Sequence, residues 1–329
     1  MQVLITGGGG FIGSRLELRL LEVGSLVGPD GGRRRLDTIT LLDVAHPTGV
    51  LPVEDGRLRR VSGDGRDANL VRELVDRDDV GVFHLASMVR AGCEADFDGA
   101  LSVNLGALRA VLEATRARRS RPRVVFASSL AAFGGPAVAD SVTDSTKLTP
   151  ETTYGVTKAI GELLVNDYTR KGFVDGRSAR LPTVVIRPGM PNAAASSWVS
   201  GIFREPLNGA TAFVPVSYDI PVPISGYRTV VDNLIRLHDA PGEGLGADRA
   251  VNLPSIAPDA HSMIAALRTA AGGRILGPIV HRPDPLIEEI FAGWAQHASF
   301  ERATTLGMTA DRDLVSIITA YIEDFLGRP

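Results

Sequence analysis

The stretch that most constrains this chain is its first. Val3, Leu4 and Ile5 form an apolar run, Thr6 follows, and then come four successive glycines and Phe11-Ile12-Gly13. An unbroken apolar run reads as a strand buried on both faces, the kind found in parallel sheets. Gly7, Gly10 and Gly13 recur at three-residue spacing, and Ser14 to Leu21 carries the apolar spacing of an amphipathic helix. A strand, a glycine turn and a helix together form the fingerprint of a dinucleotide site. One glycine permits the tight turn, one lets backbone approach a pyrophosphate, and one lets helix and strand pack closely. The free N–H groups of the helix start then face the phosphates. Gly7, Gly10, Phe11, Ile12 and Gly13 are therefore the expected cradle.

The rest of the first half repeats the same theme. Thr38 to Asp43 reads as a second strand that ends in an acid, Leu58 to Val61 as a third, and Val80 to Ala86 as a fourth. Arg123 to Ala127 and Thr183 to Arg187 supply a fifth and a sixth, and residues 66–77 have helical spacing between the third and fourth. Apolar strands alternating with helices predict a parallel sheet with right-handed crossovers. An acid at the end of the second strand bonds the adenosine ribose hydroxyls in such folds. It also repels a 2′-phosphate, so Asp43 points to NAD over NADP. Asp43 lies 30 positions after Gly13 (43 − 13), and the glycine-rich loop at 28–35 accounts for the long interval. The Arg33–Arg35 run in that loop precedes the strand and reads as solvated rather than phosphate-binding. His84 lies inside an apolar strand and reads as a core histidine rather than a catalyst.

Chemistry enters with Tyr154 and Lys158, four residues apart on a predicted helix. That spacing puts both on one helix face. A tyrosine with its ordinary pKa near about 10 is a poor base at neutral pH. A nearby ammonium, aided by a positive nicotinamide ring, stabilises the phenolate and lowers that value. Ser128-Ser129 follow the fifth strand, and Ser129 precedes Tyr154 by 25 residues (154 − 129).

These features together resemble the extended branch of the short-chain dehydrogenase/reductase superfamily. The carriers are TGGxGxIG at 6–13, the acid after the second strand, VNxxG at 103–106 (Val103-Asn104-Leu105-Gly106 without the first spacer), the serine at 129 and YxxxK at 154–158. The resemblance implies an α/β fold: a Rossmann-type, doubly wound parallel sheet with a smaller C-terminal substrate-binding lobe. It implies Ser129, Tyr154 and Lys158 as catalytic residues, with Lys158 also holding the nicotinamide ribose. Ser129 would bond the reacting oxygen, Tyr154 would take the proton and the cofactor the hydride. Asn104 would either hold a water or a carbonyl in a proton path or brace the sheet. The acid of Gly63-Asp64 would contact the adenine, and Leu85, Ala86 and Ser87 would run beneath the nicotinamide ribose.

Composition narrows the partners. The chain has 329 residues, 44% hydrophobic, with a net charge of −3, which gives no reason to expect nucleic acid or an anionic membrane surface. Cys93 is the only cysteine, so no disulfide within the chain is possible and a cysteine-based metal site is not expected. No apolar stretch reaches the roughly 20 residues needed to span a bilayer, and no basic leader precedes Val3. A cytoplasmic protein with no metal is the expectation. Lysine is scarce: only Lys147, Lys158 and Lys171 occur.

Past Arg187 the chain changes character, with a breaker-rich loop from Pro188 to Ser197. Residues 1–187, joined by 230–253, are expected to form the NAD-binding domain. Residues 188–229 and 254–329 are expected to form the small substrate lobe. Nucleotide-sugar members of this branch carry RDxxxVxD, whose arginine grips a diphosphate. Aligned on Asp232, this chain has Ser225 at the arginine position, with Arg228 three places on. A serine cannot neutralise a diphosphate. ASSLAAFGGP (127–136), RLPTVVIRPGMPNAAASS (180–197) and GIFREPLNG (201–209) instead resemble the D-erythronate dehydrogenase family. That resemblance implies NAD-dependent oxidation of a four-carbon sugar acid at C2; the alternative is a nucleotide-sugar epimerase or dehydratase. A sugar acid needs a cation for its carboxylate, with Arg204 first and Arg228 second, and polar groups for its hydroxyls, with Asn192, Ser196 and Ser197 as candidates. Arg204 also reads as a surface helix arginine, and the 188–197 loop as tight packing against the cofactor. A homodimer through the two long helices near 100–118 and 152–170 is implied by the superfamily resemblance.

Overall fold

The computed structural model describes residues 1–46, 54–135, 138, 141–191 and 195–327. Seven strands form the central sheet: β1 (Gln2–Thr6), β2 (Thr38–Asp43), β3 (Leu58–Ser62), β4 (Val80–His84), β5 (Arg123–Ser129), β6 (Asp175–Leu181) and β7 (Ala250–Asn252). Their order is β7-β6-β5-β4-β1-β2-β3. The pairings of β1 with β2, β1 with β4, β2 with β3 and β4 with β5 are all parallel. The order runs outward in both directions from β1 and β4, so the switch point of the sheet lies between them. Thr6 and His84 are register partners at that point.

Every residue of β1 and of β4 is buried, as their unbroken apolar runs predict. Helices α1 (Phe11–Val23), α2 (Phe97–Arg116) and α3 (Thr153–Arg170) flank the sheet connections. Leu4, Val82, Leu108, Val111, Val124, Phe126 and Val165 share one core, and burying each aliphatic side chain contributes about 1.5–3 kcal/mol. Two caps set where the long helices begin. Asp96 accepts from Gly99 N at the start of α2, and Thr152 accepts from Gly155 N at the start of α3. The second cap places Tyr154 in the first turn of α3.

Two elements differ from the sequence expectation. Thr183–Val185 does not enter the central sheet; it pairs in parallel with Ile224–Gly226 as a separate two-stranded sheet. The sixth strand is β6, whose sequence DGRSARL has no apolar alternation. Arg177, Ser178 and Arg180 are all buried there. The cations are tolerated because they are paired. Arg177 faces Asp175 and donates to the carbonyls of Leu237 (2.8 Å) and Ala240 (3.0 Å), and Arg180 forks onto Glu162. Second, the 28–35 loop is the turn and return strand of a hairpin, with Ser25–Val27 antiparallel to Arg33–Arg35. Those arginines are exposed, as expected, and Arg34 closes the turn onto Asp30 at 2.5 Å.

The chain divides into two compact units. The first comprises Met1–Ala132, Thr152–Arg180 and Val231–Val251, and the second the remainder. Phe133–Glu151, counted with the cofactor-binding part in the sequence reading, groups with the second unit. Within that unit Ser141–Val142 pairs with His297–Ala298. The second unit holds helices α4 (Ser197–Leu207) and α6 (Ala260–Ala271), while α5 (Tyr227–Asp239) carries the chain back into the first. Val199, Ile202, Phe203, Ile224, Met263, Leu267 and Ile318 pack into the core of the second unit. Among the described residues no helix is long and apolar enough to cross a membrane.

Candidate active site

The glycine turn leaves β1 with Gly7 at φ +72°, a left-handed conformation that favours glycine. A Cβ there would also meet Ala86 N at 2.7 Å. At Gly13 a Cβ would lie 2.3 Å from Gly7 O and 2.8 Å from Gly8 Cα, so only glycine lets α1 approach the turn this closely. Helix α1 starts at Phe11, earlier than its apolar spacing indicates, because the turn itself supplies the first helical residues. Gly10 is its N-cap and no side chain caps it. Phe11, Ile12 and Gly13 thus form a first turn without a side-chain cap, a fit for a pyrophosphate. Asp43, partly buried at the end of β2, accepts from Gly9 N at 3.0 Å, which places its carboxylate beside the turn.

The segment after β4 is tied to both neighbours. Leu85 N donates to Thr6 O (3.0 Å), Ala86 N to Thr6 Oγ1 (3.4 Å) and Ser87 Oγ to Asn104 Oδ1 (3.2 Å). Asp64 is gripped by the guanidinium of Arg66, whose hydrogen bonds hold its carboxyl below the usual carboxylate range.

Ser129, Tyr154 and Lys158 meet within the first unit. The Ser129 hydroxyl faces the Tyr154 phenol and accepts from Ala131 N at 3.1 Å. Lys158 Nζ lies 5.3 Å from the centre of the Tyr154 ring and 5.0 Å from that of Phe126, and it donates to Ala127 O at 2.7 Å. Burial pushes Tyr154 up to about 12, against the Ser129 hydroxyl, which lowers it. Burial also pushes Lys158 down to about 8, opposed by Cys93 and Glu162. The pair therefore sits where either charge is costly, and each added charge nearby counts heavily.

Asn104 is buried and fully engaged. Its Oδ1 accepts from Met88 N (2.7 Å) and its Nδ2 donates to Met88 O (3.2 Å) and Thr157 Oγ1 (3.0 Å). It braces the segment after β4 against α3, with its carbonyl contact made to Met88. His84 shares a 2.7 Å hydrogen bond between Nδ1 and Thr6 Oγ1, and burial pushes it down to about 3, so it is a neutral core group.

The candidate substrate residues lie in the second unit. Asn192 falls outside the described residues. Ser196 is the N-cap of α4 with no cap bond from its side chain, and Ser197 opens the helix. Arg204 is not a surface arginine: it is 4% exposed, paired with Glu205 at 2.6 Å and donating to Arg187 O at 2.8 Å. Arg228 is half exposed and held by Glu323 (2.9 Å) and Asp324 (2.5 Å). Ser225 is fully buried and donates to Asp311 Oδ2 at 2.8 Å, an acid that also accepts from Gly226 N and Thr229 Oγ1. Sequence reasoning passed over Glu162 and Arg180, which lie beneath the Tyr154–Lys158 pair. Its available signal was the spacing: Glu162 follows Lys158 by four, as Lys158 follows Tyr154.

Residues 3–205 match the model of the NAD dependent epimerase/dehydratase family. The chain is 45% identical to a D-erythronate dehydrogenase of Cupriavidus necator over 98% of both chains. It is 39% identical to a D-erythronate dehydrogenase of Haemophilus influenzae, over 98% of this chain and 99% of that one. Among solved structures it resembles a nucleoside-diphosphate-sugar epimerase from Agrobacterium tumefaciens. That likeness has a TM-score of 0.90 and 37% identity, covering 99% of this chain and 95% of the other.

Proposed function

Because this chain belongs to the NAD dependent epimerase/dehydratase family, we propose that it oxidises a small sugar acid, D-erythronate, at C2 to 2-dehydro-D-erythronate with NAD. The observation that carries the chemistry is the convergence of Ser129, Tyr154 and Lys158. When bound, the nicotinamide would accept the hydride of the carbinol carbon. The chain's own residues manage the proton. Ser129 bonds the reacting hydroxyl and Tyr154 takes its proton, while the Lys158 ammonium stabilises the phenolate form. The uncapped start of α1 would hold the pyrophosphate, with Gly7 permitting the turn and Gly13 the close approach of α1 to it, and Leu85, Ala86 and Ser87 would line the nicotinamide ribose. Asp43 would bond the adenosine ribose and repel a 2′-phosphate, which favours NAD. Asp64 would contact the adenine.

The substrate follows from the likeness to the two D-erythronate dehydrogenases. Ser196 and Ser197, with Asn192, are proposed for its hydroxyls. Arg204 and Arg228 are the proposed carboxylate partners, and either must exchange its present acid for the substrate. The second reading, a nucleotide-sugar epimerase, draws on the likeness to the Agrobacterium tumefaciens structure. It is weakened by Ser225, a buried, neutral, already bonded group where a diphosphate would need an arginine.

The test is to supply D-erythronate, L-threonate and UDP-sugars separately with NAD and follow NADH. Net NADH with D-erythronate is expected. Silence with every acid beside interconversion of a UDP-sugar would establish the second reading instead. A cytoplasmic homodimer completes the proposal, checked by light scattering in solution.

A further inference from the structure

The face of α3 that carries Tyr154 and Lys158 carries Glu162 one further step on, at i, i+4 and i+8. These three meet three consecutive residues of β5. Lys158 donates to Ala127 O at 2.7 Å, Ser128 Oγ donates to Glu162 Oε1 at 2.5 Å, and Ser129 faces Tyr154. Glu162 is itself clamped from β6, where Arg180 donates through Nε (2.9 Å) and Nη2 (2.7 Å). Side chains of the pair are 2% and 3% exposed. A buried ion pair of this kind adds little stability over an apolar pair of the same volume. Its placement therefore calls for another reason, and Arg180 alone does not explain the bond to Ser128.

The groups facing Lys158 supply one. Tyr154 and Glu162 come from α3, His84 from β4 and Cys93 from the short helix Arg90–Ala95, while Arg180 of β6 faces Glu162. His84 is neutral, and burial pushes the Cys93 thiol up. Glu162, paired with Arg180, is the one carboxylate among these groups.

Resting on the reading of Tyr154 and Lys158 as the proton-transfer pair, we infer that Glu162 is a positioning residue. Its carboxylate, clamped by Arg180, fixes the Ala127–Ser129 segment through Ser128 and keeps Lys158 an ammonium directed at the Ala127 carbonyl.

The chain's three lysines make this directly measurable. With carbon-labelled lysine, NMR gives three side-chain signals, and a Lys158→Met variant assigns the one of interest. Glu162→Gln should lower the Lys158 titration midpoint by about one pH unit, a tenfold change in its protonation ratio. It should also lower kcat, about twofold at pH 7 and approaching tenfold by pH 9, while KM for the sugar acid stays within about threefold. Glu162→Asp, which keeps the charge, should restore most of both. Glu162→Gln strands Arg180 and risks the fold, so Glu162→Gln/Arg180→Met is the second variant. It removes both charges, and the Lys158 midpoint should still fall. A wild-type midpoint in the double variant means that Glu162 serves only to neutralise Arg180 and overturns the inference, as does an unchanged kcat beside a lowered midpoint. The titration needs no turnover, so inactivity toward every sugar acid with a normal titration response counts against the proposed substrate alone.

Discussion

Lys158 in the first unit and Arg204 in the second are both buried cations with short hydrogen bonds, yet they are used oppositely. Lys158 donates to a neutral carbonyl, that of Ala127, and its Nζ lies 5.3 Å from the centre of the Tyr154 ring. Arg204 faces Glu205, and Arg228 faces two acids, so most of their charge is cancelled where they stand. A cation satisfied by a carbonyl keeps its charge for chemistry, whereas one satisfied by a carboxylate gives it up to structure or must be released by a competing anion. This difference separates the proposed proton-transfer lysine from the proposed carboxylate partners.

Four experiments would break or sharpen that contrast. The largest effect is expected from Tyr154→Phe, which should cost about 10²–10⁴ in kcat; calorimetry should find NAD binding retained, and surviving turnover would remove Tyr154 as the base. Lys158 comes next, through pH. Its value falls from 10.5 in the unfolded chain to about 8 when folded, so the folded state holds fewer protons between these limits. Stability should therefore rise as pH climbs from 8 toward 10, by up to about 3 kcal/mol. Tyr154, raised from 10 to about 12, works the other way only above pH 10. Denaturation midpoints of Lys158→Met should lack that rise. Arg204→Met should strand Glu205 and cost about 3 kcal/mol in urea unfolding. A cost below about 1 kcal/mol would mean that the pair is readily opened, as a ligand-exchanging arginine requires. Smallest in stability is Arg228→Gln, whose exposed pairs contribute under about 1 kcal/mol. A tenfold rise in KM for D-erythronate at unchanged Tm would assign it the carboxylate.

Legibility followed the range of the interaction. The glycine turn and the Tyr154–Lys158 pair were readable because a positive φ, a close backbone approach and an i, i+4 face depend on residues a few places apart. β6 was not readable, since Arg177 and Arg180 are buried by partners distant in sequence, including carbonyls about sixty positions on. Arg228 posed the same difficulty: Glu323 and Asp324, 95 and 96 residues away, fill the role that a substrate was expected to take. The Arg33–Arg35 hairpin was missed because three exposed arginines carry no apolar period. Glu162 lay within reach of local spacing, but only Ser128 and Arg180 give that spacing a meaning.

The charged strand has a consequence for how the sheet chooses its pairing. Side chains alternate along a strand, so Asp175 and Arg177 project to one face of β6 and Ser178 and Arg180 to the other. Arg177 finds helix-end carbonyls on its side, and Arg180 finds Glu162 on the other. A slip of one residue would exchange the faces and strand both guanidinium groups in apolar surroundings. An apolar strand tolerates such an error far more readily. By spending charge rather than grease here, the chain writes a registration mark legible from both sides of its own sheet.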